Sequence, residues 1–422
     1  MSRRFHPAFL VAAITFLTLL VSAGVRSAPS VMIVPLQLHF GWDRASISAT
    51  AALGIFLYGL IGPFAAALMM SVGVRRVMMT GLALMGASAL ISQYMTQAWQ
   101  FTATWGVVSG LGTGMVASVL GATMVNRWFA RNQGLVMGIF AASTATGSLI
   151  FLPFLAWLTQ GGAWVGVVRT VGIACLALVP LVAWLVPESP ASAGVGRFGE
   201  EPGANPARKQ SGSPLFALQI LWKVRGNGTF WLLFGTFFVC GLTTNGLVGT
   251  HLIAFCGDHG IAPVAAAGLL SLMGLFDLVG TTASGWLTDR HNPRYLLAVY
   301  YGLRGLSLIA LPFMDFGPVS LGAFAIFYGL DWIATVPPTL AIANRSFGEG
   351  EAPVVFGWVA VGHQVGAAVA AFGGGLVRQE WGSYSPAFIV AGGFGLVATL
   401  ALLMFRDGRT GDKSALLTAA AV

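Results

Sequence analysis

Ionisable side chains inside otherwise apolar stretches are the residues of this 422-residue chain that could do chemistry. Four stand out: Arg26, Asp277, Arg304 and Asp331. An ionisable group at the middle of a lipid bilayer costs at least about 2.5–3.5 kcal/mol, so each of them indicates a function or a buried partner. An arginine can bind a carboxylate through two parallel hydrogen bonds. A buried aspartate that lacks a neighbouring cation can carry a proton.

The composition places these side chains in a membrane. Hydrophobic residues make up 56% of the chain and charged residues only 9%, whereas a soluble domain has roughly 25% charged residues. A chain with so little charge cannot cover a water-facing surface. The net charge of +8 does not favour nucleic-acid binding, because the basic residues stand between apolar segments. The three cysteines fit neither a metal site nor a disulfide framework.

Twelve windows of about twenty apolar residues are predicted to be membrane helices, since this length crosses the hydrocarbon core. They cover residues 9–36, 45–69, 77–96, 101–124, 134–158, 164–186, 230–256, 263–287, 295–314, 318–342, 354–377 and 384–405. One long polar interruption, 188–228, separates six windows from the other six. We therefore expect an N-terminal half, 1–187, and a C-terminal half, 229–422.

The polar interruption has two parts of different composition. The first is rich in Pro, Gly, Ser and charged residues, which predicts a flexible linker. The second, PLFALQILWKVRG at 214–226, predicts a short amphipathic helix on the membrane surface. With the N-terminus inside, 17 of the 22 basic residues fall on the cytoplasmic side. This bias predicts that both termini and the linker are cytoplasmic.

The two halves match at an offset of 219 residues. GLGTGMVASVLGATMVNR, 110–127, aligns with GLDWIATVPPTLAIANR, 329–345, when one residue is dropped. The same offset pairs Arg26 with Asn245 and Tyr58 with Asp277. Two six-helix halves related by a parallel repeat predict a transporter with its binding site at the midplane between the halves. LLVSAGVRSAPS, 19–30, is also compatible with a secretory signal, but the retained counterpart in the second half predicts that this helix stays.

Several motifs resemble a known family. GWLTDRHNPR, 285–294, is similar to the Gly-x-Leu-x-Asp-Arg-x-x-x-Arg loop of the major facilitator superfamily. FGWDRASISA, 40–49, NRWFARNQGLVMGI, 126–139, and the arginine of the first span resemble the monocarboxylate-porter and oxalate–formate-antiporter branch. The resemblance implies an all-α membrane fold of twelve transmembrane helices in two six-helix pseudo-repeats. It also implies alternating access without a cofactor.

The resemblance assigns a gating role to the loop motif. In the family, the residues that correspond to Asp289, Arg290 and Arg294 latch the outward-facing state. The first-half copy keeps Arg75 but has methionine and serine at positions 70 and 71, where the family has Asp and Arg. We therefore expect the loop of the second half to supply most of the contacts of this latch. The alternative is that these loop charges only enforce topology, since surface ion pairs contribute about 0–1 kcal/mol.

The resemblance also assigns a substrate site, in which a basic residue at the position of Arg26 binds the substrate carboxylate. Asp277 lies twelve residues before Asp289, about 18 Å along a helix, which places it at mid-membrane. In the family this Asp is followed four residues later by an Arg, and the pair couples protons to substrate. Here Thr281 stands at the second position. Asp277 remains the candidate proton carrier; alternatively, Arg26 and Asp277 form a structural ion pair, or the substrate is not a plain carboxylate.

The remaining polar residues complete the candidate sites. Arg304 and Asp331 are expected to form a structural ion pair, since buried charges are generally paired. The predicted substrate-binding set comprises Arg26, Asn245, Asp277, Tyr58, Trp332, His363 and Gln364. TVPP, 335–338, should kink the tenth span because proline removes backbone donors. His251 and Asp258 either form an outer gate or simply lie at the interface.

The leading hypothesis is a monomeric secondary transporter in the bacterial inner membrane. It would move a small organic anion, a monocarboxylate, with protons, and it would use no metal, cofactor or nucleic acid. The alternative within the same fold is efflux of an amphipathic drug. An intramembrane aspartyl protease is disfavoured, because the Asp331 stretch lacks the Gly-x-Gly-Asp form and the chain has no His-Glu-x-x-His, Gly-x-Ser-x-Gly or Walker pattern. We therefore expect no enzyme activity.

Overall fold

The computed structural model describes residues 6–160, 163–200 and 214–405. Within these ranges the chain is helical, apart from its turns and an isolated bridge between Phe129 and Phe198. Twelve long helices run through it in chain order: α1 Pro7–Phe40, α2 Arg44–Ser71, α3 Val74–Ser92, α4 Ala98–Trp128, α5 Gln133–Leu158, α6 Val165–Leu185, α7 Gly228–Asp258, α8 Pro263–Thr288, α9 Pro293–Phe313, α10 Pro318–Gly348, α11 Val354–Trp381 and α12 Ser385–Met404.

These helices have the length that a membrane requires. Eleven of them contain stretches long and apolar enough to cross a bilayer. The twelfth, α5, has 26 residues without a charged side chain, which is about 39 Å of helix. The prediction of twelve membrane helices is confirmed, with ends that differ from the predicted windows by a few residues.

Short capped turns join consecutive helices. Asp43 begins α2 by accepting a hydrogen bond from the Ser46 N–H at 2.7 Å, and Asn292 begins α9 by accepting from the Arg294 N–H at 3.0 Å. Such caps satisfy N–H groups that lack an intrahelical partner. Gly41 ends α1 and Gly382 ends α11, both with φ of 70°, a conformation that only glycine adopts without strain.

The repeat reappears as two broken helices. Helix α4 is interrupted at residues 116–117, between Ser109–Met115 and Ser118–Trp128. Helix α10 is interrupted between Asp331 and Val336. Both interruptions fall in the segments that align at the repeat offset. Their shared position supports the predicted pseudo-repeat of two six-helix halves, α1–α6 and α7–α12.

The two ends of the bundle differ in charge. We call the end that carries Arg75, Arg127, Arg290 and Arg294 the basic end, and the end that carries Arg44, Arg169 and Arg378 the opposite end. The halves meet where α2 lies along α11, α5 along α8, and α1 along α7. The binding site of a two-half transporter is expected between these helices.

The contact between α2 and α11 extends from the opposite end to the middle. Gly375 packs against Ser48, and Gly59 packs against Gln364, so closely that a Cβ on either glycine would collide with its neighbour. Towards the basic end, Gly62 and Gly357 continue the same helix faces. Among the described residues, a Cβ on either of these two glycines would meet nothing within 4 Å, although Gly62 itself is buried. Close contact between α2 and α11 is therefore present at the opposite end and at the middle of the two helices.

The segment after α6 makes hydrogen bonds to the start of α3 and to the end of α4. Glu188 accepts hydrogen bonds from the Val74 and Arg75 N–H groups at the start of α3. The Phe198 N–H donates to the Trp128 carbonyl at 2.8 Å. Residues 188–200 of the predicted linker therefore make defined contacts, because they supply partners to polar groups at the start of α3 and the end of α4. Residues 201–213 of the predicted linker lie outside the described ranges.

The predicted amphipathic helix is present at Pro214–Val224. Ile220 and Val224 are buried against the second half, whereas Trp222 on the other face is 68% exposed. Lys223 Nζ pairs with Glu351 Oε1 at 2.6 Å, which ties this helix to the segment between α10 and α11.

Candidate functional site

Arg26 lies in the middle of α1 with its charge unneutralised. Its guanidinium carbon stands 4.8 Å from the centre of the Tyr58 ring on α2, a distance at which the ring face attracts a cation. Its Nε atom is buried without a hydrogen-bond partner. Within the described residues Arg26 forms no ion pair, so the alternative pairing with Asp277 is absent. A cation held in this way is prepared to accept an anion from outside the chain.

Three more predicted site residues lie near the middle of their helices. Gln364 on α11 packs against Gly59, next to Tyr58. His363 precedes it, with a buried Nδ1 that has no hydrogen-bond partner in the described structure. Asn245 lies in the π-helical segment Leu242–Val248 of α7 and is partly exposed. The structure therefore brings Gln364 next to the Arg26–Tyr58 pair, whereas the His363 ring packs against Phe237 of its own half, with ring centroids 5.1 Å apart.

Trp332 is the residue of the predicted substrate-binding set that lies in α10. Its Cη2 atom is 3.9 Å from the position of a Cβ on Gly249 of α7. Its ring meets the Tyr328 ring edge-on, with centroids 5.6 Å apart. The indole is only partly buried, so it can offer an apolar surface to a ligand.

Asp277 on α8 is 7% exposed and has no cationic partner in the described ranges. Its Oδ1 atom accepts two hydrogen bonds, one from the Thr281 hydroxyl at 2.9 Å and one from the Ile333 N–H at 2.9 Å. Thr281 therefore supplies a neutral donor where the resembling family has an arginine. The structure brings Asp277 to the interrupted segment of α10, a contact that the sequence did not predict.

Arg304 and Asp331 form the predicted ion pair. Arg304 Nε lies 2.6 Å from Asp331 Oδ2, and Arg304 is fully buried. The guanidinium also donates to the backbone carbonyls of Asp331 and Trp332 and to Cys240 Sγ at 3.1 Å. These carbonyls belong to the turn that interrupts α10. The pair therefore also satisfies backbone groups that would be costly to leave unpaired in a membrane.

The interruption of α10 lies at residues 332–335, and the helix resumes at Val336. The predicted kink at TVPP is thus displaced to the turn before the prolines. Pro337 and Pro338 occupy the first turn of the resumed helix, where a missing N–H costs nothing. Ser284 of α8 donates to the Ala334 carbonyl. The predicted bend is present, and side chains of neighbouring helices satisfy its backbone.

The opposite end is closed by charges from both halves. Asp258, at the end of α7, accepts from Arg44 of α2 with both N–O distances at 3.2 Å, and from Arg378 of α11 at 2.6 Å. We call these three residues the Asp258 latch. Arg44 also donates to Tyr384 at 3.4 Å; burial raises the pKa of the Tyr384 hydroxyl, although the Arg44 cation opposes this. Asp258 thus supports the gate reading, whereas His251 is buried and bonds the Ala371 carbonyl at 2.7 Å.

Replacing Asp258 with asparagine should open the opposite end, because Arg44 and Arg378 would then repel each other. We expect about a fivefold rise in the rate at which a membrane-impermeant maleimide labels Ser48→Cys, because the native Ser48 side chain is fully buried against Gly375 at the closed end. Arg169→Ala is the matched control, because the hydrogen bond that Arg169 makes within the described residues is to Gln93 of its own half, at 3.0 Å. An unchanged labelling rate would show that the latch does not hold this end closed.

The predicted gating loop is not closed at the basic end. Asp289 is exposed and has no partner in the described ranges. Arg290 stacks on Trp286 of its own helix at 4.1 Å, and Arg294 donates to the Phe405 carbonyl. Arg75 is attached to Glu188 through its backbone. Within the part of the chain that the structure describes, the loop motif therefore makes no bridge between the halves.

Sequence reasoning missed several residues that form this arrangement. Glu188 follows α6, but its carboxylate lies 3.3 Å from Arg127 Nη1 and accepts a hydrogen bond from the first N–H group of α3, that of Val74. The sequence analysis did not single out Arg44 and Arg378, because 214 and 120 residues separate them from Asp258. Across the described part of the chain, no group of three or more His, Cys, Asp or Glu side chains could hold a metal ion.

Comparison with known proteins finds a family that matches this chain. The model of the Major Facilitator Superfamily matches residues 15–371. Monocarboxylate transporter 13 of Bos taurus is 28% identical over 386 residues, which cover 90% of this chain and 85% of that protein. The uncharacterized MFS-type transporter YcxA of Bacillus subtilis (strain 168) is 25% identical over 407 residues, 94% of this chain and 95% of that protein.

A solved structure shares the fold. It is a bacterial homolog of the human lysosomal transporter Spinster in an inward-facing and unoccupied conformation. It is similar with a TM-score of 0.72 at 14% identity and covers 94% of this chain and 98% of that one. The predicted resemblance to the monocarboxylate porters is confirmed by the sequence relatives. Since the family model spans most of the chain and the fold agrees with it, this chain belongs to the major facilitator superfamily and is a transporter, not an enzyme.

Proposed function

We propose that this transporter moves a small organic anion, a monocarboxylate, across the bacterial cytoplasmic membrane together with protons. The observation that carries the proposal is Arg26, a cation at the middle of α1 with no anionic partner in the described structure. Arg26 is partly buried, and a charge at the middle of a membrane without a partner is costly. A carboxylate that binds Arg26 removes that cost and gains two parallel hydrogen bonds.

We infer alternating access between the two ends. The Asp258 latch joins the halves at the opposite end, whereas within the described residues Asp289 and Arg290 form no ion pair with the first half. We propose that this state is open at the basic end and that the basic end and both termini are cytoplasmic, in line with the positive-inside bias. Formation of the loop contacts of Asp289 and Arg290 would then close the basic end in the other state. One chain contains both halves, so we propose that a monomer is sufficient.

Asp277 is the proposed proton carrier. Its Oδ1 atom is fixed by two donors, and no cation of the described ranges pairs with it. Other charges near it come from Arg304 and Asp331, which are already paired with each other, while α5, packed along α8, has no titratable residue. Protonation of Asp277 would remove one negative charge from the site that the anion enters. This gives a physical reason for proton and anion to travel together.

The substrate class rests on the charge count of the site. With Thr281 in place of the family arginine, Arg26 is the single anion anchor that we find among the described residues, which favours one carboxylate per substrate over two. Relatives named monocarboxylate transporters support the same class. The partly exposed rings of Tyr58 and Trp332 offer apolar contact to the rest of the molecule.

Uptake into proteoliposomes tests this function. Labelled monocarboxylates are supplied with the interior alkaline, with the interior at equal pH, and with a proton ionophore. We expect accumulation above equilibrium only with the gradient, and competition by other monocarboxylates but not by dicarboxylates. Accumulation that ignores the gradient, or competition by amphipathic drugs alone, would reject the proposal; the second result would support drug efflux.

A further inference from the structure

The interrupted segment of α10 owes its shape to side chains of other helices. Trp332 donates its N–H to Gly329, three residues earlier, and Val336 donates to Ile333 in the same manner. The regular spacing of four residues is lost between them. An unpaired backbone group at this depth would cost several kcal/mol in general, so the segment keeps its shape only while outside partners are present.

Two of these partners hold the backbone on either side of the Trp332 indole. Arg304 of α9 donates to the Trp332 carbonyl at 3.2 Å. Asp277 of α8 accepts from the next N–H, that of Ile333, at 2.9 Å. The Trp332 backbone is thus clamped from two helices, and its ring is held against Gly249 of α7.

We propose that Asp277 is a positioning residue for the wall that Trp332 contributes to the substrate site, and that Thr281 orients its carboxylate for this task. The inference rests on the proposed function only in treating Trp332 as part of that site. Oδ1 does the positioning, because it receives both hydrogen bonds. Oδ2 makes no hydrogen bond within the described residues, so the same side chain can use it for a different task. Thr281 is then a neutral residue at the position of the family's arginine, and its hydroxyl still holds the Asp277 carboxylate in place.

The two tasks of Asp277 can be separated by substitution. Asp277→Asn retains an Oδ1 acceptor for Thr281 and Ile333, whereas Asp277→Ala removes it. Thr281→Val removes the donor hydroxyl, and Thr281→Ser retains it. Thr282→Val is the matched control, because the neighbouring Thr282 hydroxyl bonds only the Leu278 carbonyl of its own helix, at 2.7 Å, and is exposed.

Tryptophan emission of purified protein is the direct readout. Each variant is measured with and without Trp332→Phe, and the difference spectrum isolates Trp332. We expect Asp277→Ala to shift this difference spectrum to longer wavelength and Thr281→Val to shift it less. Asp277→Asn, Thr281→Ser and Thr282→Val should leave it unchanged. In transport assays, Asp277→Ala should also raise KM about tenfold relative to Asp277→Asn.

A Trp332 spectrum that Asp277→Ala leaves unchanged would overturn the inference, as would a failure of Asp277→Asn to restore it. If Asp277→Ala does not fold, the Thr281→Val and Thr281→Ser pair decides by the same criterion. The emission measurement needs no substrate. A failure of the proposed function would therefore appear as absent carboxylate uptake with the spectral pattern intact, which distinguishes the two.

Discussion

Replacement of Arg26 by alanine is expected to lower substrate affinity about 100-fold and to abolish gradient-driven accumulation. Hydrogen bonds to charged groups contribute about 1.5–3 kcal/mol each, and a carboxylate on Arg26 would receive two. A hundredfold change corresponds to about 2.7 kcal/mol, slightly below the lower end of that sum, which is about 3–6 kcal/mol. The measurement is the concentration dependence of uptake into proteoliposomes, with reconstituted protein quantified for each variant.

Two controls sharpen this result. Arg26→Lys retains the charge but cannot donate in a fork, so it should keep a small part of the uptake. Arg169→Ala also removes a cation, but from a residue that bonds Gln93 at the opposite end, and it should transport like wild type. Normal uptake by Arg26→Ala would remove Arg26 from the substrate site.

Replacement of Arg304 by alanine is expected to destabilise the protein more than any other single change discussed here. It leaves Asp331 buried without its partner and releases the carbonyls of Asp331 and Trp332. Breaking a buried pair from one side costs about 3–5 kcal/mol. Thermal unfolding of purified protein should show a melting temperature lower by on the order of 5 °C or more.

The double variant Arg304→Ala with Asp331→Ala separates the charge from the backbone contribution. It should recover part of the lost stability, because the unpaired carboxylate is removed while the carbonyls of Asp331 and Trp332 still lack their donor. Arg290→Ala, which removes an exposed arginine stacked on its own helix, should melt like wild type. A single Arg304→Ala variant as stable as wild type would show that the pair is not structural.

The sequence predicts those features that depend on local composition. Helix length, the repeat and the amphipathic helix Pro214–Val224 follow from apolar runs and periodicity, which act within each segment. The pairing of Arg304 with Asp331 was also foreseen, since two opposite charges at similar depth in lipid have few other partners.

Features that depend on contacts between distant segments were not foreseen. The prolines at 337 and 338 suggested where α10 bends, but the turn lies just before them because Arg304, Asp277 and Ser284 hold it there. Likewise, nothing local in the sequence around Asp258 indicates that arginines of both halves converge on it. Glu188 was assigned to a linker by its neighbours' composition, although its partners lie at the starts and ends of other helices.

The central claim is that Arg26 holds the substrate carboxylate, and a binding cycle tests it most directly. Isothermal titration would compare the best-transported monocarboxylate with its uncharged amide, each against wild type and Arg26→Gln protein. If the carboxylate contacts Arg26, the two changes are coupled by about 2 kcal/mol: wild type prefers the carboxylate strongly, and the variant binds both ligands about equally. A preference for the carboxylate that survives in Arg26→Gln, with coupling near zero, would contradict the account.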